Sequence, residues 1–172
     1  MSGPDGRLDE PGRTVDAEPL LRAAVDEGAI HRDNARTLEQ WLDGLRDAVV
    51  GAAGYRRFLH DDVQPANVMA DRGDYRALID WGDAGWGDPA LDFRTLPARA
   101  VAVALAGYRQ VAPLDGDDSA EQRIWWDHLL AAVYAARRPL APQRLEWSRP
   151  PAARLIELLA LVAEGRTVGR FT

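Results

Sequence analysis

The stretch FLHDDVQPANVMADRGDYRALIDWGDAGWGDPALDF, residues 58–93, decides how this chain is read. Within it, Val68 to Ala70 and Ala77 to Trp81 are short β-compatible runs, and Asp71-Arg72-Gly73-Asp74 between them supplies the residue types of a tight turn. A hairpin returns its second strand to the end where the first began, which sets Asn67, just before the first run, beside Asp80 in the second. Asp62 lies in the turn leading to Asn67, so a carboxylate, a carboxamide and a second carboxylate are expected to meet at one end of the hairpin. Hard oxygen donors of this kind suit Mg2+, which binds through one or two carboxylates and completes its shell with phosphate and water. The remaining carboxylate is then placed to orient or deprotonate a hydroxyl.

Other residues of the stretch have plainer readings. Asp88 before Pro89 is a helix N-cap with proline at the first helical position. Asp92 serves the dipole of that first turn or bonds a backbone amide. Asp61 and Asp83 read as solvated loop acids, and Asp71 and Asp74 as turn residues. His60 follows Phe58-Leu59 and reads as a loop-packing histidine, while His31 and His128 sit singly on predicted helices. For Asp62, Asn67 and Asp80 together, no simple folding reason accounts for the joint spacing.

Outside this stretch the pattern is helical. A short helix is predicted over residues 17–28 and a longer one over 34–50, where Leu38, Trp41, Leu42, Leu45 and Val49 share one stripe. Ser119 followed by Gln122 predicts a capping box opening a helix through Ile124, Trp125, Leu129, Leu130 and Val133. Trp125 and Trp126 are expected to fill the core or wall an apolar pocket. A last helix is predicted from Pro150-Pro151 through Leu155, Leu158, Leu159 and Val162, stopping at Gly165. Residues 1–15, rich in Gly, Pro and Asp, read as a flexible leader, and 16–172 as one mostly helical α+β domain.

Composition narrows the function. The 172 residues suffice to bury a core without staples, and the absence of cysteine removes disulfide, iron–sulfur and thiolate-zinc chemistry. A net charge of −6 disfavours a nucleic-acid partner, because phosphate backbones demand a basic face. No apolar run approaches a membrane span and the start is polar, so a cytoplasmic protein with no membrane partner is expected. All 21 basic residues are arginine. Schiff-base chemistry and a lysine clamp on nucleotide phosphate are therefore closed to this sequence.

His60, Asp62, Pro65 and Asn67 match the spacing H-x-D-x-x-P-x-N of a kinase catalytic loop, and Asp80-Trp81-Gly82 stands where kinases carry their magnesium-binding D-F-G. With Gly87-Asp88-Pro89-Ala90-Leu91-Asp92-Phe93 following, the chain resembles the aminoglycoside phosphotransferase and choline-kinase-like family rather than protein kinases. The resemblance implies that Asp62 is the catalytic carboxylate, Asn67 and Asp80 hold Mg2+, and His60 supports the loop. It also implies a kinase-like carboxyl-terminal lobe whose hairpin carries the acidic site. Two positions depart from the pattern: glycine is usual where Asp61 stands, and histidine where Gln64 stands. The 59 residues before His60 contain neither a Gly-rich phosphate loop nor the strand lysine, so the nucleotide lobe is expected to be missing.

Three functions follow. The first is a small-molecule phosphotransferase that needs its nucleotide lobe supplied elsewhere before it can use ATP or GTP, and is not an efficient ATP kinase alone. The second is a nucleotide-independent cyclase, hydrolase or isomerase in which Asp62, Asp80 and Asp83 do acid–base work beside Trp81 and Trp86. The third is a catalytically silent binding protein. A second copy or a partner chain is expected to cover the surface left by the missing lobe.

Overall fold

Glycine and hydrophobic periodicity set the helices. The computed structural model describes residues 16–114, 116–139 and 152–165; the predicted leader and the Pro150-Pro151 helix start lie outside them. Helix α1, Glu18–Asp26, ends where Gly28 takes φ 70, and the Gly28 and Ala29 amides donate back to the Val25 and Ala24 carbonyls. This is the left-handed stop that glycine permits. Helix α2, Arg32–Val50, buries Leu38, Leu42, Leu45 and Val49 of the predicted stripe and leaves Trp41 half-buried. His31 is its N-cap, accepting from the Asp33 amide.

Helix α3, Val101–Val111, was not expected from the sequence: an almost unbroken apolar run gives no contrast between faces. Helix α4, Ala120–Ala136, starts at Ser119 as predicted, but no capping box forms. The Ser119 hydroxyl donates to Asp117 and accepts from Arg123 instead, which takes it away from the helix amides. Helix α5, Ala153–Ala163, stops at Gly165 with φ 66, as expected.

The core gathers around α4, which packs against α1, α2 and α5. Trp125, Trp126, Leu129 and Val133 of α4 are fully buried against Leu38 and Leu42 of α2, Leu21 of α1 and Leu158 of α5. A smaller cluster joins Ile124 to Ala90, Phe93, Val101 and Leu105. His128, fully inside, donates from Nε2 to the Phe93 carbonyl at 2.9 Å, while Arg154 approaches its Nδ1 at 3.2 Å. Burial, first of all, pushes the His128 pKa down to about 3, so the ring is neutral. Among the described residues no helix is long and apolar enough to cross a membrane.

Two small antiparallel sheets occupy the middle of the chain, so the described residues form an α+β, mostly helical fold. Strand β1, Arg57–Leu59, pairs with β4, Gly85–Gly87. Between them lies the expected hairpin, β2, Val68–Asp71, and β3, Asp74–Leu78. Its turn is Arg72-Gly73, both with positive φ, the two-residue type that matches strand twist. Asp71 and Asp74 flank this turn as the last pair of the ladder, and the register slips between Met69 and Ala70. The second strand therefore lies earlier than residues 77–81 and ends at Leu78. Asp80 falls two residues beyond it, in a left-handed conformation with φ 64. The β1–β4 pair escaped prediction because three-residue strands are too short to show alternation.

Candidate functional site: the acidic loop at the open end of the hairpin

Pairing of β1 with β4 pins both ends of residues 60–84, so the loop after β1 and the chain leaving the hairpin are held side by side. His60 is the strut between them. Its Nε2 donates to the Ile79 carbonyl at 2.8 Å and its Nδ1 accepts from the Asp62 amide at 3.3 Å. Those two partners fix the tautomer, and the ring is buried, with the Trp81 edge 4.7 Å from it between centroids. Both nitrogens are committed to backbone, so His60 supports the loop.

Asn67 caps the other side. Its Nδ2 donates to the Asp62 carbonyl and to Asp62 Oδ2, each at 2.9 Å. Two acceptors on one nitrogen fix the orientation of the amide and turn its Oδ1 away from Asp62. Gln64 Nε2 donates to the same Asp62 Oδ2 at 2.8 Å, and among the described residues no donor reaches Oδ1 of Asp62. At the hairpin's open end the Ile79 amide donates to the Asn67 carbonyl at 2.9 Å, which brings the chain back to Asn67 one residue before Asp80. Asp62 and Asn67 are thus in contact. Asp80, one residue past Ile79, is exposed, as is Asp83, and among the described residues no hydrogen bond ties either to Asp62 or Asn67.

Asp61 corrects one expectation. It is not a solvated loop acid: its side chain is 12% exposed, and Oδ1 lies 3.0 Å from Arg94 Nη2. Its φ of 63 is the left-handed region that glycine adopts freely, which gives a physical reason for the glycine usual at this position. Burial raises the Asp61 pKa, Arg94 opposes this, and the charges of Asp92, Asp83 and Asp127 add to the rise. Asp83 remains an exposed loop acid. Asp92 does bond backbone amides, accepting from His60 at 3.3 Å and Asp61 at 2.7 Å. Burial raises its pKa as well, against the pull of those two amides.

Asp88 caps the turn Pro89–Phe93 through the Ala90 amide, as expected, but that turn is a tight 3-10 helix rather than an α-helix. A second role of Asp88 was invisible in the sequence. Arg123 Nε reaches Asp88 Oδ2 at 2.6 Å, and its Nη1 and Nη2 reach Asp117 at 2.7 and 2.5 Å. The guanidinium is wholly buried, 4.8 Å from the Tyr55 ring centre. A charged residue reads as surface in a sequence, and its partners stand 35 and 6 positions away. Arg94 was likewise missed, although it directly follows the Asp92-Phe93 pair that carries the loop's anchor.

Beside the acids lies an exposed aromatic wall. Phe58 stacks on Trp81 at 6.2 Å and meets Trp86, its cross-strand partner, edge-on at 5.7 Å. All three rings are about half exposed.

A loop carboxylate buttressed by histidine, asparagine and a capped DPxxD turn is the arrangement that the H-x-D-x-x-P-x-N spacing announces. The model of the phosphotransferase enzyme family matches residues 2–140, and this chain belongs to that family. No curated protein and no solved structure matches it.

Proposed function

We propose that the chain is the acidic half of a small-molecule phosphotransferase, in which Asp62 takes the proton of an acceptor hydroxyl. The observation that carries this reading is the one-sided anchoring of Asp62: Oδ2 is held by Asn67 and Gln64, which leaves Oδ1 for the substrate. Asn67 Oδ1 and the exposed Asp80 carboxylate are hard oxygen donors that fit Mg2+ with water or phosphate completing the shell. When bound, the ion would neutralise charge on a phosphoryl group. Asp83, whose charge is felt at Asp61, would add negative charge to the loop. The chain's own residues orient the hydroxyl, hold the proton acceptor and offer oxygen to the cation. With no lysine in these 172 residues, the groups that clamp a nucleotide's phosphates come from arginine or from polypeptide outside them, such as a partner chain or another copy. ATP or GTP use is therefore assigned to the assembly rather than to this lobe-like unit.

Mn2+ in place of Mg2+ tests the site. Paramagnetic broadening of the Asn67 side-chain amide and the Asp80 amide is expected in the NMR spectrum, and its loss in Asp80→Asn. Broadening confined to other residues, with and without ATP, would overturn the assignment.

The aromatic wall of Phe58, Trp81 and Trp86 favours a second reading, an acid–base enzyme that turns over an apolar small molecule without nucleotide. Turnover that needs no ATP and disappears in both Asp62→Asn and Asp80→Asn would replace the first reading with this one.

A further inference from the structure

Asp61 holds a left-handed backbone that costs a non-glycine residue free energy, and it does so immediately before Asp62. Three contacts keep it there. The Asp61 amide donates to Asp92 Oδ1 at 2.7 Å, Arg94 Nη2 donates to the Asp61 carbonyl at 3.4 Å, and the same Nη2 stands 3.0 Å from Asp61 Oδ1 as an ion pair without hydrogen-bond geometry. Asp92 and Arg94 are two residues apart, so one short segment grips the peptide from its amide side and its carbonyl side.

The electrostatics make Arg94 decisive. Asp92, Asp83 and Asp127 all press negative charge on the Asp61 carboxylate, and Arg94 is the cation set against them. Without that guanidinium, a largely buried anion would stand among those like charges and lose the cation that opposes them. It would escape by rotating outward or by taking a proton, and either releases the backbone at position 61. A change of φ at Asp61 swings the next residue, Asp62, away from Asn67 Nδ2 and His60 Nδ1.

We propose that Arg94 is a positioning residue that holds Asp61 in its left-handed conformation and thereby fixes the carboxylate of Asp62. Its bearing on catalysis rests on the reading of Asp62 as the proton acceptor. The device is peculiar to a chain with Asp rather than Gly at position 61: the side chain that strains the backbone also recruits the cation that holds it.

Arg94→Met, Asp61→Gly and the double variant test this in 15N-labelled protein. The probes are the Asn67 side-chain amide, whose nitrogen donates twice to Asp62, and the Asp62 backbone amide. In Arg94→Met both signals are expected to shift and to lose protection from exchange. Asp61→Gly is expected to keep them near wild type, because glycine needs no help at φ 63. The double variant is expected to recover them, which loss of a merely stabilising surface contact would not produce. Unchanged signals in Arg94→Met, or a double variant as perturbed as the single one, would overturn the proposal. If Arg94→Met does not fold, the double variant decides alone: wild-type signals sustain the proposal, and failure to fold removes it. These signals report loop geometry without substrate, so the Mn2+ experiment can fail while this one succeeds, and the reverse.

Discussion

Asn67 gives its side-chain nitrogen wholly to Asp62, one bond to the carbonyl and one to Oδ2, both 2.9 Å long. The pair is therefore a single unit, in which the amide sets the acid's orientation and the acid sets which way the amide's oxygen points. Asn67→Leu removes both donors from a part-buried site. Stability is expected to fall by roughly 1–3 kcal/mol in urea denaturation, as for a buried acceptor left without its partner.

Asp62→Asn leaves the shape of the loop intact but removes the basic oxygen. Once an acceptor substrate is in hand, phosphoryl transfer is expected to drop by about 10²–10⁴-fold, the usual contribution of a positioned general base. An unchanged melting temperature measured alongside separates this chemical loss from unfolding.

Arg123 joins Asp88 of the DPxxD turn to Asp117 ahead of α4, entirely out of solvent. Burial alone would raise the Asp117 pKa, but its bonds to Arg123 outweigh this and hold the carboxyl below its ordinary value. Arg123→Ala removes the guanidinium that the buried carboxylates of Asp88 and Asp117 share. A loss of roughly 3–5 kcal/mol is expected by chemical denaturation. Because Asp88 caps the turn that carries Asp92, the Asn67 side-chain signal should move as well.

His128 makes stability depend on acidity with a definite sign. Its folded pKa lies near 3, below its ordinary value of 6.5, so the unfolded chain binds the extra proton. The stabilisation is full above about pH 6.5 and declines as pH falls toward 3, by up to about 1.4 kcal/mol per unit. Asp61 and Asp92 act the other way, since their pKa values are raised and their charged forms cost more as pH rises. Denaturation midpoints at pH 7, 6 and 5 should fall more steeply in the wild type than in His128→Gln, although that variant starts lower.

The hairpin turn offers a stabilising change. Arg72 and Gly73 have φ of 53 and 91, and only the second is a residue suited to it. Arg72→Asn is expected to raise the melting temperature slightly, and Gly73→Ala to cost about 1 kcal/mol, read by thermal scanning.

Legibility in the sequence followed the range of the interaction. The hairpin was readable because the chemistry of Arg72-Gly73 is local, and the α2 stripe because nineteen residues give the period room to show. The spacing of His60, Asp62 and Asn67 was readable for the same reason: their bonds span two to five residues. What escaped depends on distant partners. Arg94 finds Asp61 across 33 positions and Arg123 finds Asp88 across 35, and nothing in a local window distinguishes such arginines from surface ones. The Ser119 box failed for a related reason, since a buried guanidinium competed for the hydroxyl.

One ring, that of His60, touches the amide of Asp62 and the carbonyl of Ile79. A single rigid imidazole thus rivets the two segments at one spacing. A change at position 60 is therefore expected to loosen the loop after β1 and the chain leaving the hairpin together, as a pulled rivet frees both plates.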